Sequence, residues 1–201
     1  MRLIKIVYTT IFLCLISCKN TSESINIYTE NVTSIPNKLV PKKKLVLNSN
    51  EGRWYYNNQP FSGYAVTYHL NNTLEEKVGY YNGKKQGIAK KWFPNGAVRK
   101  QCFYKSNRLD GVVKIWWENG SLASKSNYID GEKHGIQQKW YPTGQLAKQT
   151  HMNLGREEGM QKAWLENGKI YVNYEAKNGR IFGLRRSNLC YELKKEVVQY
   201  Q

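Results

Sequence analysis

The chain has 201 residues, of which 31 are Lys or Arg and 15 are Asp or Glu, a formal charge of +16. Apolar residues make up 40% and aromatics 13%, with 15 Tyr and 6 Trp, too much apolar surface for a wholly disordered chain. The longest apolar run, near residues 6–17, falls short of the roughly 20 residues a membrane span requires, and 4 cysteines do not make a disulfide scaffold, so polytopic membrane proteins, collagens and knottins are excluded.

The first residues read as an address. Met1-Arg2-Leu3-Ile4-Lys5 is a basic start, and Ile6 to Ile16 is apolar apart from Thr9 and Thr10. Leu15-Ile16-Ser17-Cys18 follows. A basic segment, an apolar segment and small residues at the end form a secretory signal. The Leu-x-small-Cys ending resembles the bacterial lipobox. That resemblance implies a signal peptide over residues 1–17, acylation of Cys18, and a mature protein held at the membrane through its first residue. Two or more acyl chains give stable anchoring, at about 0.8 kcal/mol per buried CH₂. Residues 18–44 are rich in Lys, Asn, Ser and Thr, and Pro36 and Pro41 interrupt them. The stretch is expected to be a flexible polar tether.

Residues 45–187 are dominated by a period of 24. Gly63, Gly87, Gly111, Gly135, Gly159 and Gly183 keep that spacing, as do Tyr68, Trp92, Trp116, Trp140 and Trp164. Gly96, Gly120, Gly144 and Gly168 form a further column. Gly83, Asn107, Gly131, Gly155 and Gly179 form another. Leu74, Val98, Leu122, Leu146 and Ile170 make an aliphatic column, and Tyr56, Tyr80, Tyr104, Tyr128 and Met152 a mainly aromatic one. A fixed period of this length is the signature of a repeat architecture, and three glycine positions per unit exclude long helices. Each unit reads as a hairpin: Gly87 to Phe93, a turn at Pro94-Asn95-Gly96-Ala97, then Val98 to Tyr104. Asn-Gly recurs at Asn119-Gly120 and Asn167-Gly168 and is read as a tight turn in which both residues tolerate positive φ. Alternation places Ile88, Lys90 and Trp92 on one face and Ala89, Lys91 and Phe93 on the other. The expected fold is all-β: an array of 24-residue hairpins in one elongated, twisted antiparallel sheet, with residues 188–201 as a C-terminal cap or tail.

These residues resemble the MORN-repeat family in its bacterial variant. Gly111-Val112-Val113-Lys114-Ile115-Trp116-Trp117-Glu118-Asn119-Gly120-Ser121-Leu122 carries the pattern, and the resemblance runs over about residues 57–184. Bacterial proteins built this way include YwqK-like antitoxins. The resemblance therefore implies an antitoxin or immunity role as an alternative function.

No catalytic constellation emerges. His69, His134 and His151 lack His-x₃-His spacing. Glu75-Glu76 and Glu157-Glu158 are strand neighbours, which point to opposite faces. Cys102 and Cys190 are separated by several stacked units, beyond disulfide reach. No phosphate loop or nucleophile elbow is present, so neither catalysis, a cofactor nor a metal is expected. Lys84, Lys90, Lys100, Lys114, Lys139 and Lys162 fall at different strand phases and read as dispersed, solvated charge rather than one stripe. The tryptophan column is expected to stack and supply the core. Phe93, Trp117 and Tyr141 are then the column left on the opposite face for a partner. The sequence thus reads as a non-enzymatic lipoprotein of the cell envelope, facing the periplasm and anchored at Cys18. Its sheet would bind a protein partner, and export leaves nucleic acid out.

Overall fold

The computed structural model describes residues 34–184. The signal segment, Cys18, Cys190 and the expected C-terminal cap lie outside these residues. Within them the fold is nearly all-β, with a single 3₁₀ turn at Lys42–Lys44. Leading strands Gly63–Tyr68, Gly87–Trp92, Gly111–Trp116, Gly135–Trp140 and Arg156–Trp164 alternate with return strands Leu74–Tyr81, Val98–Lys105, Leu122–Ile129, Leu146–Asn153 and Ile170–Lys177. They pair in chain order as one antiparallel meander, closed by Arg180–Leu184. Short bridging strands Lys84–Lys85, Arg108–Leu109 and Glu132–Lys133 link one unit to the next, each folded back on the preceding return strand.

Each repeat uses two different turns, and the sequence assignment of them needs correction. The Asn-Gly pairs inside the hairpins are not two-residue turns with positive φ at both positions. Among Phe93 to Ala97 only Gly96 has positive φ, at 82°. Gly96 N–H donates to the Phe93 carbonyl at 2.9 Å and Phe93 N–H to the Ala97 carbonyl at 2.8 Å. The asparagine acts through its side chain: Asn95 Oδ1 accepts from Ala97 N–H at 2.9 Å, and Asn119 Oδ1 from Ser121 N–H at 2.9 Å. The two-residue turns lie between repeats, at Asn82-Gly83, Ser106-Asn107, Asp130-Gly131, Leu154-Gly155 and Asn178-Gly179, where both φ values are positive. That conformation matches the strand twist of a tight hairpin.

A bulge recurs in each of the five hairpins formed by a leading and a return strand. Lys91 pairs with Lys100 but Trp92 with Val98, so Arg99 is the extra residue. The same slip precedes Tyr68, Trp116, Trp140 and Trp164. It sets each member of the tryptophan column opposite one of the aliphatic column. Bulges of this kind increase local twist.

The buried core lies on the face away from the tryptophans. Ala65 pairs with Val78, Ala89 with Cys102 and Val113 with Ser126, and the Tyr80, Tyr104 and Tyr128 column crosses Gly63, Gly87 and Gly111. The tryptophans are half-buried, so the core expected of their stacking comes instead from small residues and tyrosines. This inner face is strongest at its N-terminal end. There Trp54 and Phe61 pack on the fully buried Tyr80, with ring centroids 6.1 and 5.8 Å away. Val46–Asn48, Arg53–Tyr56 and Gln59–Pro60 form a separate three-stranded cap. Toward the C-terminus the matching positions become Gln137 and Gln161, and Gln161, 1% exposed, donates to the His151 carbonyl at 2.7 Å.

The expected tether is also corrected at its C-terminal end. Leu39–Pro41 pairs in parallel with Gly63–Tyr68, and Val40 is buried opposite Ala65. Polar composition hid two apolar side chains placed against the first hairpins, Val40 and Ile35, the latter beside Gly79 and Gly87.

Leu154 alone places a leucine at a positive-φ turn position, at 42°. A left-handed conformation costs such a residue about 1–2 kcal/mol. Leu154→Asn is expected to raise the melting temperature in scanning calorimetry, while Asn82→Leu at the equivalent turn lowers it.

Candidate binding surface

Strand alternation and the observed registers sort the side chains into rows that run across the sheet. On the outer face, Val66 pairs with Lys77, Lys77 with Lys90, Lys90 with Gln101 and Gln101 with Lys114. The row continues as Lys114 with Lys125, Lys125 with Gln138, Gln138 with Gln149, Gln149 with Lys162 and Lys162 with Asn173. Of the six lysines read as dispersed, Lys90, Lys114 and Lys162 thus stand in one ladder with Lys77 and Lys125, which the sequence reading did not connect, while Lys84, Lys100 and Lys139 fall outside it. Lys100 and Lys139 belong to a second row, on the inner face, with Lys91 and Lys148.

Two residues along each strand, about 6.8 Å away, a second row parallels the ladder, in which apolar side chains alternate with Asn127, His151 and Glu175 beyond Val112. Ile88, Phe103, Val112, Ile136 and Met160 stand in it, between 39% and 55% exposed. Single exposed apolar residues are ordinary; here five of them share one row of one face.

The column of Phe93, Trp117 and Tyr141 occupies the turns, just beyond the leading strands. Its side chains reach the backbone of the next repeat. Trp117 Nε1 donates to the Trp140 carbonyl at 3.3 Å and Tyr141 OH to the Trp164 carbonyl at 2.9 Å. His69 Nε2 lies 3.0 Å from the Trp92 carbonyl in the same arrangement. Phe93, with no polar atom, instead receives the Arg99 guanidinium 5.6 Å from its ring centroid. The turns are further joined by Asn71 Nδ2 to the Pro94 carbonyl at 3.0 Å and Asn119 Nδ2 to the Pro142 carbonyl at 3.2 Å. This column links repeat to repeat, with Trp117 still 39% exposed.

Titratable groups on the inner face serve structure. Burial pushes the Cys102 thiol up, away from the reactive thiolate, and pushes Tyr104 up to about 12. Glu157 accepts from the Tyr174 hydroxyl at 2.7 Å. Glu76 is held between Lys42 and Lys91, each at 3.1 Å. Burial alone would raise its pKa, but the hydrogen bonds from Lys91 and Lys42 outweigh that and hold the carboxyl below its ordinary value. Among the described residues no cluster of three or more His, Cys, Asp or Glu is arranged to hold a metal. A shallow pocket of about 270 Å³ opens between Lys42-Lys43 and Tyr68.

Residues 85–106, 109–130 and 133–153 each match the family model of the MORN repeat variant. Each window contains one hairpin, and the hairpins Gly63–Tyr81 and Arg156–Lys177 on either side have the same pairing and the same bulge. Repeats of this kind are non-catalytic and serve as protein- and membrane-interaction modules. No curated protein matches the chain.

A carboxyl with a lowered folded pKa stabilises above its ordinary pKa of 4.5 and loses that contribution as pH falls through the folded value. Glu76→Gln is expected to melt lower than wild type at neutral pH and to lose less stability on acidification to about pH 3. Melting curves across pH test both statements.

Proposed function

We propose that this chain is a membrane-anchored binding module of the cell envelope that presents the outer face of its repeat sheet to a protein partner. The observation that carries this reading is the aligned, exposed apolar row of Ile88, Phe103, Val112, Ile136 and Met160 beside the lysine ladder. The repeat matches support an interaction role, and the Leu15-Ile16-Ser17-Cys18 motif supports lipidation and an envelope address. The turn column is the weaker candidate for the partner, because His69, Trp117 and Tyr141 already contact the next repeat's backbone. Interfaces draw most of their energy from a few central apolar anchors, and Phe103 and Val112 are central in this row.

In the native host, a photo-crosslinking side chain at Val112 or Ile136 is expected to capture one specific protein, and the same group at Asn95 is not. Phe103→Ser combined with Ile136→Ser should weaken that partner at least tenfold, about 1.4 kcal/mol, without changing the melting temperature by more than a few degrees. Capture from Asn95 alone would place the interface at the turns. A fatty-acid probe is expected to label wild type and leave Cys18→Ser unlabelled and released from the membrane.

A further inference from the structure

We infer that the outer-face lysine ladder is the seat of an acidic, intrinsically disordered protein segment lying across the strands, an inference that rests on the protein-partner reading above. The ladder holds Lys77, Lys90, Lys114, Lys125 and Lys162, interspersed with Gln101, Gln138 and Gln149. No acidic residue stands in it. Among the described residues none of the five lysines pairs with a carboxylate; Lys77 Nζ sits 4.2 Å over the Tyr64 ring, and Gln138 donates to Gln149 at 3.0 Å. Lys77 faces Lys90 and Lys114 faces Lys125 directly. Like charges directly opposite each other on a sheet are destabilising. A carboxylate laid between each pair converts the repulsion into attraction.

The form of the surface selects the occupant. Lys77 to Lys162 spans seven strand steps, roughly 34 Å at about 4.8 Å per strand. Twist of about 20–25° per strand turns the row through roughly 140–175° over that distance. A rigid helix or a flat bilayer meets only part of such a row, whereas a flexible chain follows it. Acidic disordered segments extend by self-repulsion and wrap large surfaces. The apolar row alongside distinguishes a polypeptide from a sugar or nucleotide polymer, since apolar side chains set between the acidic ones find a seat there. At about 3.4 Å per extended residue, roughly ten residues cover the ladder.

Fluorescence anisotropy with labelled oligoglutamate peptides of 4, 10 and 16 residues tests this on the repeat-bearing chain. Affinity should climb steeply up to ten residues and then level off. The fourfold variant Lys77→Gln, Lys90→Gln, Lys114→Gln, Lys125→Gln should bind the ten-residue peptide at least tenfold more weakly while melting no lower than wild type. A charge-matched control, Lys84→Gln, Lys133→Gln, Lys169→Gln, Lys177→Gln, should change affinity less than threefold. Equal losses in the two variants would reduce the effect to net charge and overturn the ladder. Tighter ladder-dependent binding of heparin oligosaccharide, oligo-dT or phosphatidylglycerol vesicles than of oligoglutamate would overturn the polypeptide occupant. Undiminished capture of the crosslinked partner by the fourfold variant would overturn the ladder's role and leave the outer face as the partner's surface. Loss of capture from Val112 with the ladder still selective for oligoglutamate would instead count against the apolar row.

Discussion

The whole sheet depends on the two-residue turns between repeats. Each holds two consecutive residues at positive φ and so fixes which residue of a return strand faces which residue of the bridging strand. Because side chains alternate with a period of two, a slip of one residue would exchange the inner and outer faces. The turns are themselves tied to the preceding unit: Asn107 N–H donates to the Lys85 carbonyl at 2.9 Å, Gly131 to Leu109 at 2.7 Å and Gly155 to Lys133 at 2.8 Å. Register is thus handed on from one repeat to the next by backbone bonds, independently of the side chains that vary on the surface.

The two faces divide the work unequally along the array. At the N-terminal end the inner face is closed by Val40, Leu45, Phe61 and the cap aromatics around Tyr80. Glu76 ties Lys42 to the first and second hairpins there. At the C-terminal end the equivalent inner positions are glutamines that bond to backbone carbonyls. A hydrogen bond contributes about 1 kcal/mol net, less than burying a large apolar side chain. Stability in stacked repeats sums local and nearest-neighbour terms, so the array is firmest where the cap sits and loosens toward its C-terminal units. Cohesion there comes from the turns, where Tyr141 and Thr143 still reach the following repeat.

Much of the architecture was legible in the sequence, because period, glycine columns and aromatic columns all report the same unit. The turns were legible as positions but not as types: Asn-Gly satisfies a two-residue turn as readily as a longer one in which Asn95 bonds through its side chain and Gly96 alone takes positive φ. Val40 was hidden because the short Leu39-Val40 pair shows no period and is flanked by lysines and prolines. The tryptophan column was placed correctly relative to Ile88 and Lys90. Its burial was overestimated, since small residues opposite tyrosines pack more closely than indole rings. The lysine ladder was missed for a geometric reason. Lys90, Lys114 and Lys162 lie three residues after a column glycine, whereas Lys77 and Lys125 lie fourteen after one. Only the pairing of leading with return strands merges these two phases into one row.

That row explains why charge so dense is tolerated on a thin sheet. At about 0.15 M salt the screening length is about 8 Å. The facing pairs Lys77–Lys90 and Lys114–Lys125, one strand step or about 4.8 Å apart, lie inside it. Lys125 and Lys162 are separated by three strand steps, about 14 Å, and largely ignore each other. Within this row repulsion is therefore strongest in two pairs, with Gln101 between them and Gln138 and Gln149 between Lys125 and Lys162. The cost stays local and small enough for an array stitched through its backbone to carry. The same spacing leaves each pair as a patch of positive potential, so the acidic chain proposed above would gain a foothold at one pair before it reached the next. Charge of this kind mainly accelerates encounter and orients an arriving partner; in the binding mode proposed above, the apolar side chains about 6.8 Å away would then retain what the lysines collect. On that proposal, the feature that weakens the sheet slightly in isolation is the one that would equip its outer face to bind.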